Sequence, residues 1–228
     1  LHGLGDPAEI ERTRAEMAAA TGVDVRFHAA DLSRPAAAAG LVAAAEAAFG
    51  GVDILVNNAG LQHVAPVEDF PPEQWDRLQS VMLDATFHAT RAAVPGMKRR
   101  NWGRLLNLVS VHGLVASPFK SAYVAAKHGQ IGFTRAVALE LAETGVTCNA
   151  ICPGYVLTPL VEGQVEAQAK AHQLPRERVI REVILAAQPS KRFVTVEEVA
   201  ALAVFLCGET ARSITGAAIP VDGGWTAR

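Results

Sequence analysis

Short β-branched runs alternate along this chain with longer alanine-rich segments. Compact apolar runs bounded by Gly, Pro, Asn or Asp predict strands, and apolar positions recurring at helical spacing predict helices. On that reading 23–29 is a strand, and 36–49 is a helix closed by Gly50-Gly51. A strand over 52–57 is followed by a long helical region from about 73 to 100, behind the start signal Pro71-Pro72. A strand over 104–109, a helix over 121–143 and a strand over 146–152 come next, the last ending at Pro153-Gly154. The charged stretch that follows is helical and has the look of an inserted lid, about 159–190. The helix over 196–207 carries Glu197 and Glu198 in its first turn, where the helix dipole favours acids. A last short strand over 217–221 runs into Asp222-Gly223-Gly224.

Strands separated by helices of this length form βαβ units, so the expected fold is α/β, a Rossmann-like doubly wound parallel sheet with helices on both faces. Such sheets bind ligands beyond the carboxyl ends of their strands, which directs attention to the residues just after each strand. No linker divides the chain, and 1–228 reads as one domain.

Composition narrows the function. Half of the residues are hydrophobic, enough for a sizeable core, and the net charge of −2 argues against an electrostatic grip on nucleic acid or an anionic membrane. No apolar run approaches the roughly 18 residues that span a bilayer. The opening residues contain neither a charged nor an apolar leader segment. Cys148, Cys152 and Cys207 form no CxxC pair, so no metal site is expected and free thiols in a reducing cytoplasm are.

The chemistry centres on Tyr123-Val124-Ala125-Ala126-Lys127. Residues four apart share a helix face, which places a phenol and an ammonium one turn from each other. A free tyrosine titrates near pH ~10, and making it an acid–base group at neutrality takes about 4 kcal/mol. A neighbouring ammonium together with a cationic nicotinamide supplies a pull in that direction. Taken alone, a Y-x-x-x-K on a helix surface is more often accidental. Ser110, thirteen residues before Tyr123 at the end of a strand, changes the balance: its hydroxyl can donate to the substrate oxygen whose proton the tyrosine exchanges. Asn57-Asn58-Ala59-Gly60 follows another strand, with small residues that let a cofactor approach the backbone. Asp31-Leu32 offers a carboxylate to an adenine amino group, or equally a cap for the following helix. The loop from Pro153-Gly154 to Thr158 offers backbone amides to a nicotinamide carboxamide.

In this order the motifs Asn57-Asn58-Ala59-Gly60, Ser110, Tyr123-x-x-x-Lys127, Pro153-Gly154 and Asp222-Gly223-Gly224 resemble the short-chain dehydrogenases/reductases over the whole chain. The resemblance implies Ser110, Tyr123 and Lys127 as catalytic residues. It implies Asp31, Leu32, Asn58, Ala59, Gly60, Tyr123, Lys127, Pro153, Gly154, Val156 and Thr158 as cofactor-binding residues. Leu61-Gln62-His63, the stretch from Ser110 to Ser117, Lys120-Ser121-Ala122-Tyr123 and the tail from Asp222 to Arg228 look more narrowly like D-3-hydroxybutyrate dehydrogenases. That likeness implies NAD as cofactor, (R)-3-hydroxybutyrate and acetoacetate as substrates, and a homotetramer. It also implies a substrate carboxylate held by Gln62, His112 and Lys120, a lid glutamine at Gln164, and Tyr155 and Trp225 in the pocket. A buried carboxylate needs donors with a cation among them, so the set makes chemical sense. A reductase for another small ketone or 3-oxoacyl substrate, or a non-catalytic scaffold, are the alternatives.

Two features depart from the family. Its opening strand, T-G-x-x-x-G-x-G turn and helix are not found here, since Gly3-Leu4-Gly5 is too short for a phosphate loop. The sheet is therefore expected to lack its first strand–helix unit, with weak cofactor binding and low stability. Met82 stands where the family places an asparagine that shares a proton relay with the lysine. Methionine keeps only its backbone carbonyl, on which a water is expected to sustain a weakened relay. No cation stands near His2-Gly3 to meet a 2′-phosphate, which favours NAD over NADP.

Overall fold

The structure, a computed structural model, describes residues 1–3 and 5–227. Four parallel strands, β1 (Ile54–Asn57), β2 (Gly103–Leu108), β3 (Val146–Pro153) and β4 (Ala218–Val221), lie side by side in sequence order. Leu105 pairs with Cys148 and Leu106 with Asn149, which fixes the register of the two central strands. Because side chains alternate across a strand, that register sorts the core into two layers. Leu105 and Cys148 turn to the face covered by α2 (Pro35–Phe49), α4 (Ala85–Arg100) and α5 (Ser121–Glu140), where they meet Val42, Ala93, Met97 and Val137. Leu106 and Ile151 turn to the opposite face and pack on Leu206 of α8 (Val196–Cys207). Each such fully buried aliphatic side chain stabilises the fold by about 1.5–3 kcal/mol. Helices on both faces of a parallel sheet are what the alternating pattern implied.

A polar spine crosses the first layer. Asn107, fully buried on β2, accepts from the Asn57 amide at 2.8 Å and donates to the Thr134 hydroxyl of α5 at 2.8 Å. Buried amides of this kind are tolerated because each partner is present.

Three elements differ from the sequence-based expectation. The run 23–29 is not a strand; the amide of His28 donates to the carbonyl of Leu1 and the N-terminal ammonium to that of Arg26. A β-branched run becomes a strand only beside a neighbour that completes its ladder, and this segment has only the first residues beside it. The helical region from 73 to 100 is two helices, α3 (Pro72–Gln79) and α4, joined by a π-helical turn at Ser80–Asp84. A further helix not singled out from the pattern, α1 (Pro7–Thr21), is capped by Asp6, whose carboxylate accepts from the amides of Ala8 and Glu9. It buries none of its side chains, so its pattern carried no amphipathic signal.

The stretch after β3 is helical as expected: α6 (Pro159–His172), α7 (Arg176–Val179) and a π turn at Ile180–Ile184. Val165, Val179, Ile184 and Leu185 give it a small core of its own, against which Tyr155 packs. No helix among the described residues is long and apolar enough to cross a membrane.

Candidate active site

Beyond the carboxyl ends of β1, β2 and β3 the chain encloses a cavity of about 640 Å³. Ser110, Tyr123 and Lys127 all line it. Ser110 closes β2 and enters the turn that carries His112; α5 then returns along the sheet and brings Tyr123 and Lys127 over the same strand end. The spacing that put phenol and ammonium on one face holds: Nζ of Lys127 lies 5.7 Å from the Tyr123 ring centroid.

The electrostatics are those of a dry site. Burial pushes the Lys127 ammonium down to about 8, and its Nζ donates to the Leu108 carbonyl at 2.8 Å. Burial also raises the Tyr123 phenol above its ordinary value, while the hydrogen bond with Ser110 pulls it back. Lys127 by itself therefore does not hold the phenol near neutrality. The Cys152 thiol, near the end of β3 and packed in the core with Val109, Ile131 and Ala150, is pushed up to about 11 by burial and stays neutral.

On the substrate side the cavity gathers Gln62, His112, Lys120, Tyr155, Gln164 and Trp225, all of the residues the sequence singled out. The Oε1 of Gln62 accepts from the His63 amide, which leaves its NH₂ group to donate. Burial depresses the Lys120 ammonium; it lies 5.9 Å over the Tyr155 ring and has no carboxylate within salt-bridge distance among the described residues. Trp225 stacks on Tyr155 (centroids 5.7 Å apart, planes at 20°) and meets His112 edge-on at 5.4 Å. The tail that carries it is fixed by Asp222, whose carboxylate accepts from the amides of Gly224 and Thr226 and from the Thr226 hydroxyl. The two ring nitrogens of His112 face hydroxyls, Nδ1 toward Ser110 at 3.4 Å and Nε2 toward Ser117 at 2.8 Å.

On the cofactor side Asn58, Gly60, Pro153, Gly154, Val156 and Thr158 line the cavity. A Cβ at Gly60 would find nothing nearer than 4.0 Å, so the backbone there is open to a flat ligand. The loop after β3 is pinned on three sides: Gly154 donates to Val221, Tyr155 to the Gln188 side chain, and Val194 to Tyr155. Thr158 also caps α6. Asp31, Leu32 and Ala59 do not line the cavity. Asp31 is an exposed turn residue whose carboxylate accepts from the amide and hydroxyl of Ser33, and it does not cap the following helix, whose N-cap is Arg34 with no side-chain hydrogen bond.

Met82 is a correction. Its carbonyl accepts from the Thr86 hydroxyl at 2.7 Å and the Gln130 amide at 3.0 Å, so both lone pairs are engaged and the carbonyl has none left for the expected water. Its fully buried side chain packs with Leu78, Ala122 and Ala126 under the active helix.

Two parts of the site were not read from the sequence. Val196, Val199, Ala200 and Ala203 of α8 supply an apolar wall; a hydrophobic helix face gives no sign of whether it meets a core or a ligand. Gln188, fully buried, receives the Tyr155 amide on Oε1 and donates to the Arg192 carbonyl, and no motif marked it.

Comparison with known proteins agrees with this geometry. A family model described as enoyl-(acyl carrier protein) reductase matches residues 4–226. A D-beta-hydroxybutyrate dehydrogenase of Rhizobium meliloti is 55% identical over 228 residues, which is 100% of this chain and 88% of that protein. One from Cupriavidus necator is also 55% identical, with the same coverage. Among solved structures, a variant of actinorhodin polyketide ketoreductase with NADPH superposes with a TM-score of 0.90 at 33% identity, covering 100% of this chain and 87% of that one. The strand-end serine, the helical tyrosine–lysine pair and these matches over the full chain have one reading: the chain belongs to the short-chain dehydrogenase/reductase family.

Proposed function

We propose that the chain is an NAD-dependent oxidoreductase that interconverts (R)-3-hydroxybutyrate and acetoacetate. The observation that carries this reading is Lys120: a half-buried ammonium, facing no carboxylate among the described residues, in one cavity with Ser110, Tyr123 and Lys127. A desolvated cation beside an open donor such as the Gln62 amide suits a short carboxylate whose hydroxyl reaches the phenol. The names of the two 55%-identical relatives support the same substrate.

The residues around Asn58, Gly60 and Gly154 fit the nicotinamide end of a dinucleotide, because the cavity there is open and edged by backbone. The lack of a cation beside His2-Gly3 supports NAD. A bound nicotinamide would supply the acceptor for the hydride from C3 of the alcohol. The protein's part is proton handling and orientation. The Tyr123 phenolate takes the hydroxyl proton as the carbon–oxygen double bond forms, and Ser110 donates to that oxygen. Lys127 stabilises the phenolate through its charge. Gln62, His112 and Lys120 hold the carboxylate, Tyr155 and Trp225 wall the pocket, and the helices from 159 to 190 with Gln164 form its lid.

The same reading makes the protein a cytoplasmic homotetramer. Its three cysteines are free, and large apolar side chains lie exposed on its helices, Phe87 on α4, Leu139 on α5 and Val204 and Phe205 on α8.

The test is reduction of NAD followed by absorbance with (R)- and (S)-3-hydroxybutyrate. It is run on this chain and on the same chain preceded by the first strand–turn–helix unit of a hydroxybutyrate dehydrogenase. Turnover of the (R) form alone, abolished by Tyr123→Phe, supports the proposal. Preference for an uncharged alcohol would overturn it.

A further inference from the structure

Gln188 lies just past the helices that follow β3 and does not line the cavity, yet three pieces of the cavity's surroundings meet on it. Its side chain is fully buried, and an amide taken out of water needs a partner at each end. Oε1 accepts from the Tyr155 amide at 3.2 Å, and Nε2 donates to the Arg192 carbonyl. A backbone N–H can only donate and a carbonyl can only accept, so these partners fix the orientation of the amide. Two residues beyond Arg192, Val194 donates to the Tyr155 carbonyl at 2.9 Å. Both backbone polar groups of Tyr155 are thus held in a closed ring of hydrogen bonds that runs through the Gln188 side chain.

The stem of the same side chain lies under the tail. A Cβ at Gly223 would come within 3.1 Å of the Gln188 Cγ, and the Ser190 amide donates to the Gly223 carbonyl at 3.1 Å. Gly223 is left-handed (φ 58°) in the turn that Asp222 closes and that delivers Trp225. Trp225 in turn stacks on Tyr155, and the Lys120 ammonium lies over the Tyr155 ring. One buried residue therefore fixes the loop that carries Tyr155 and supports the turn that carries Trp225. Two rings held from behind make a wall that cannot give, and a wall of that kind discriminates by roughly tenfold or more per methylene.

We propose that Gln188 is a positioning residue that sets substrate length: it ties the Tyr155 loop to the Trp225 turn and holds the two rings as a fixed wall, suited to a four-carbon 3-hydroxy acid over its longer homologues. It acts through Tyr155 and Trp225 and does not touch the substrate. The choice of substrate rests on the hydroxybutyrate reading; the clamp on Tyr155 does not.

The clamp is read without turnover, by amide hydrogen exchange at Tyr155 followed by NMR on this chain. The parent amide should be protected, and Gln188→Met, which has the same reach and no hydrogen bonds, should exchange there roughly tenfold faster. Gln188→Asn, with the same amide on a stem one methylene shorter, should do the same, and it serves if the methionine variant does not fold. In the N-terminally extended chain, the kcat/KM preference for (R)-3-hydroxybutyrate over (R)-3-hydroxyhexanoate should fall roughly tenfold in these variants, carried by KM, with kcat for hydroxybutyrate kept. Val42→Ala, which thins the core under α2 away from the cavity, should lose stability and keep the preference. Unchanged exchange at Tyr155, equal losses on both acids, or a preference that falls as far in Val42→Ala overturns the proposal. If the extended parent turns over neither acid, the function proposed above fails, while exchange at Tyr155 still decides the clamp.

Discussion

The side-chain oxygen of Gln188 lies against Gly154, so close that a Cβ at 154 would sit 2.5 Å from it and 3.1 Å from the Cα of Asp222. Gln188 cannot swing aside, because it is fully buried and bound to the Tyr155 amide and the Arg192 carbonyl. Gly154→Ala is therefore expected to destabilise the protein by about 1–3 kcal/mol through overpacking. The same change should loosen the stack of Tyr155 on Trp225, seen as altered tryptophan fluorescence alongside a lower midpoint in urea.

Lys120→Ala removes the cation that the carboxylate is proposed to meet. The KM for (R)-3-hydroxybutyrate should rise by roughly 10- to 100-fold, the size of a lost charge-assisted hydrogen bond, with little change for an uncharged secondary alcohol. Steady-state kinetics on both substrates checks this, and equal losses on both would remove Lys120 from the carboxylate.

His112 gives the fold an acid-sensitive limb. Its value falls from 6.5 to about 4 on burial, so between those pH values the unfolded chain binds the proton that the folded chain refuses. The stability contributed by the neutral ring is complete above 6.5 and is lost as pH falls toward about 4. Urea melts across that range should show stability dropping with pH, and His112→Gln should flatten the slope.

Glu209 is mostly exposed, yet it binds the Trp102 indole N–H and the guanidinium of Arg104, which is 1% exposed. Glu209→Ala leaves that buried cation with the Gly103 and Gly145 carbonyls and the face of Trp102, and no carboxylate among the described residues. An expected loss of about 1–3 kcal/mol, larger than for ordinary surface pairs, would be read by thermal or urea unfolding. The exposed pair of Arg178 and Glu182 serves as control, since each carries about half its surface in water and breaking it should cost little.

The chain's order of residues determined by itself the features that depend on local periodicity. Tyr123 and Lys127 fall on one face because a helix repeats every 3.6 residues, and Ser110 falls at a strand end because an apolar run stops there. Gly154 and Asp222-Gly223-Gly224 mark turns that only certain backbones allow, so the loops around the cavity were also legible.

Tertiary structure decided what depends on partners distant in sequence. The run 23–29 has strand composition, but ladder pairing belongs to two segments at once, and its neighbour supplies too little. Asp31 offered itself as a cofactor ligand or as the cap of the next helix, and the fold seats Arg34 at that cap and turns Asp31 onto Ser33. The Met82 carbonyl is closed by Gln130, 48 positions away, and the hydroxyls that meet the two ring nitrogens of His112 are set by the turn in space. Hydrogen-bond capacity is counted atom by atom in three dimensions, and a one-dimensional pattern records which groups exist but not which of them are already taken.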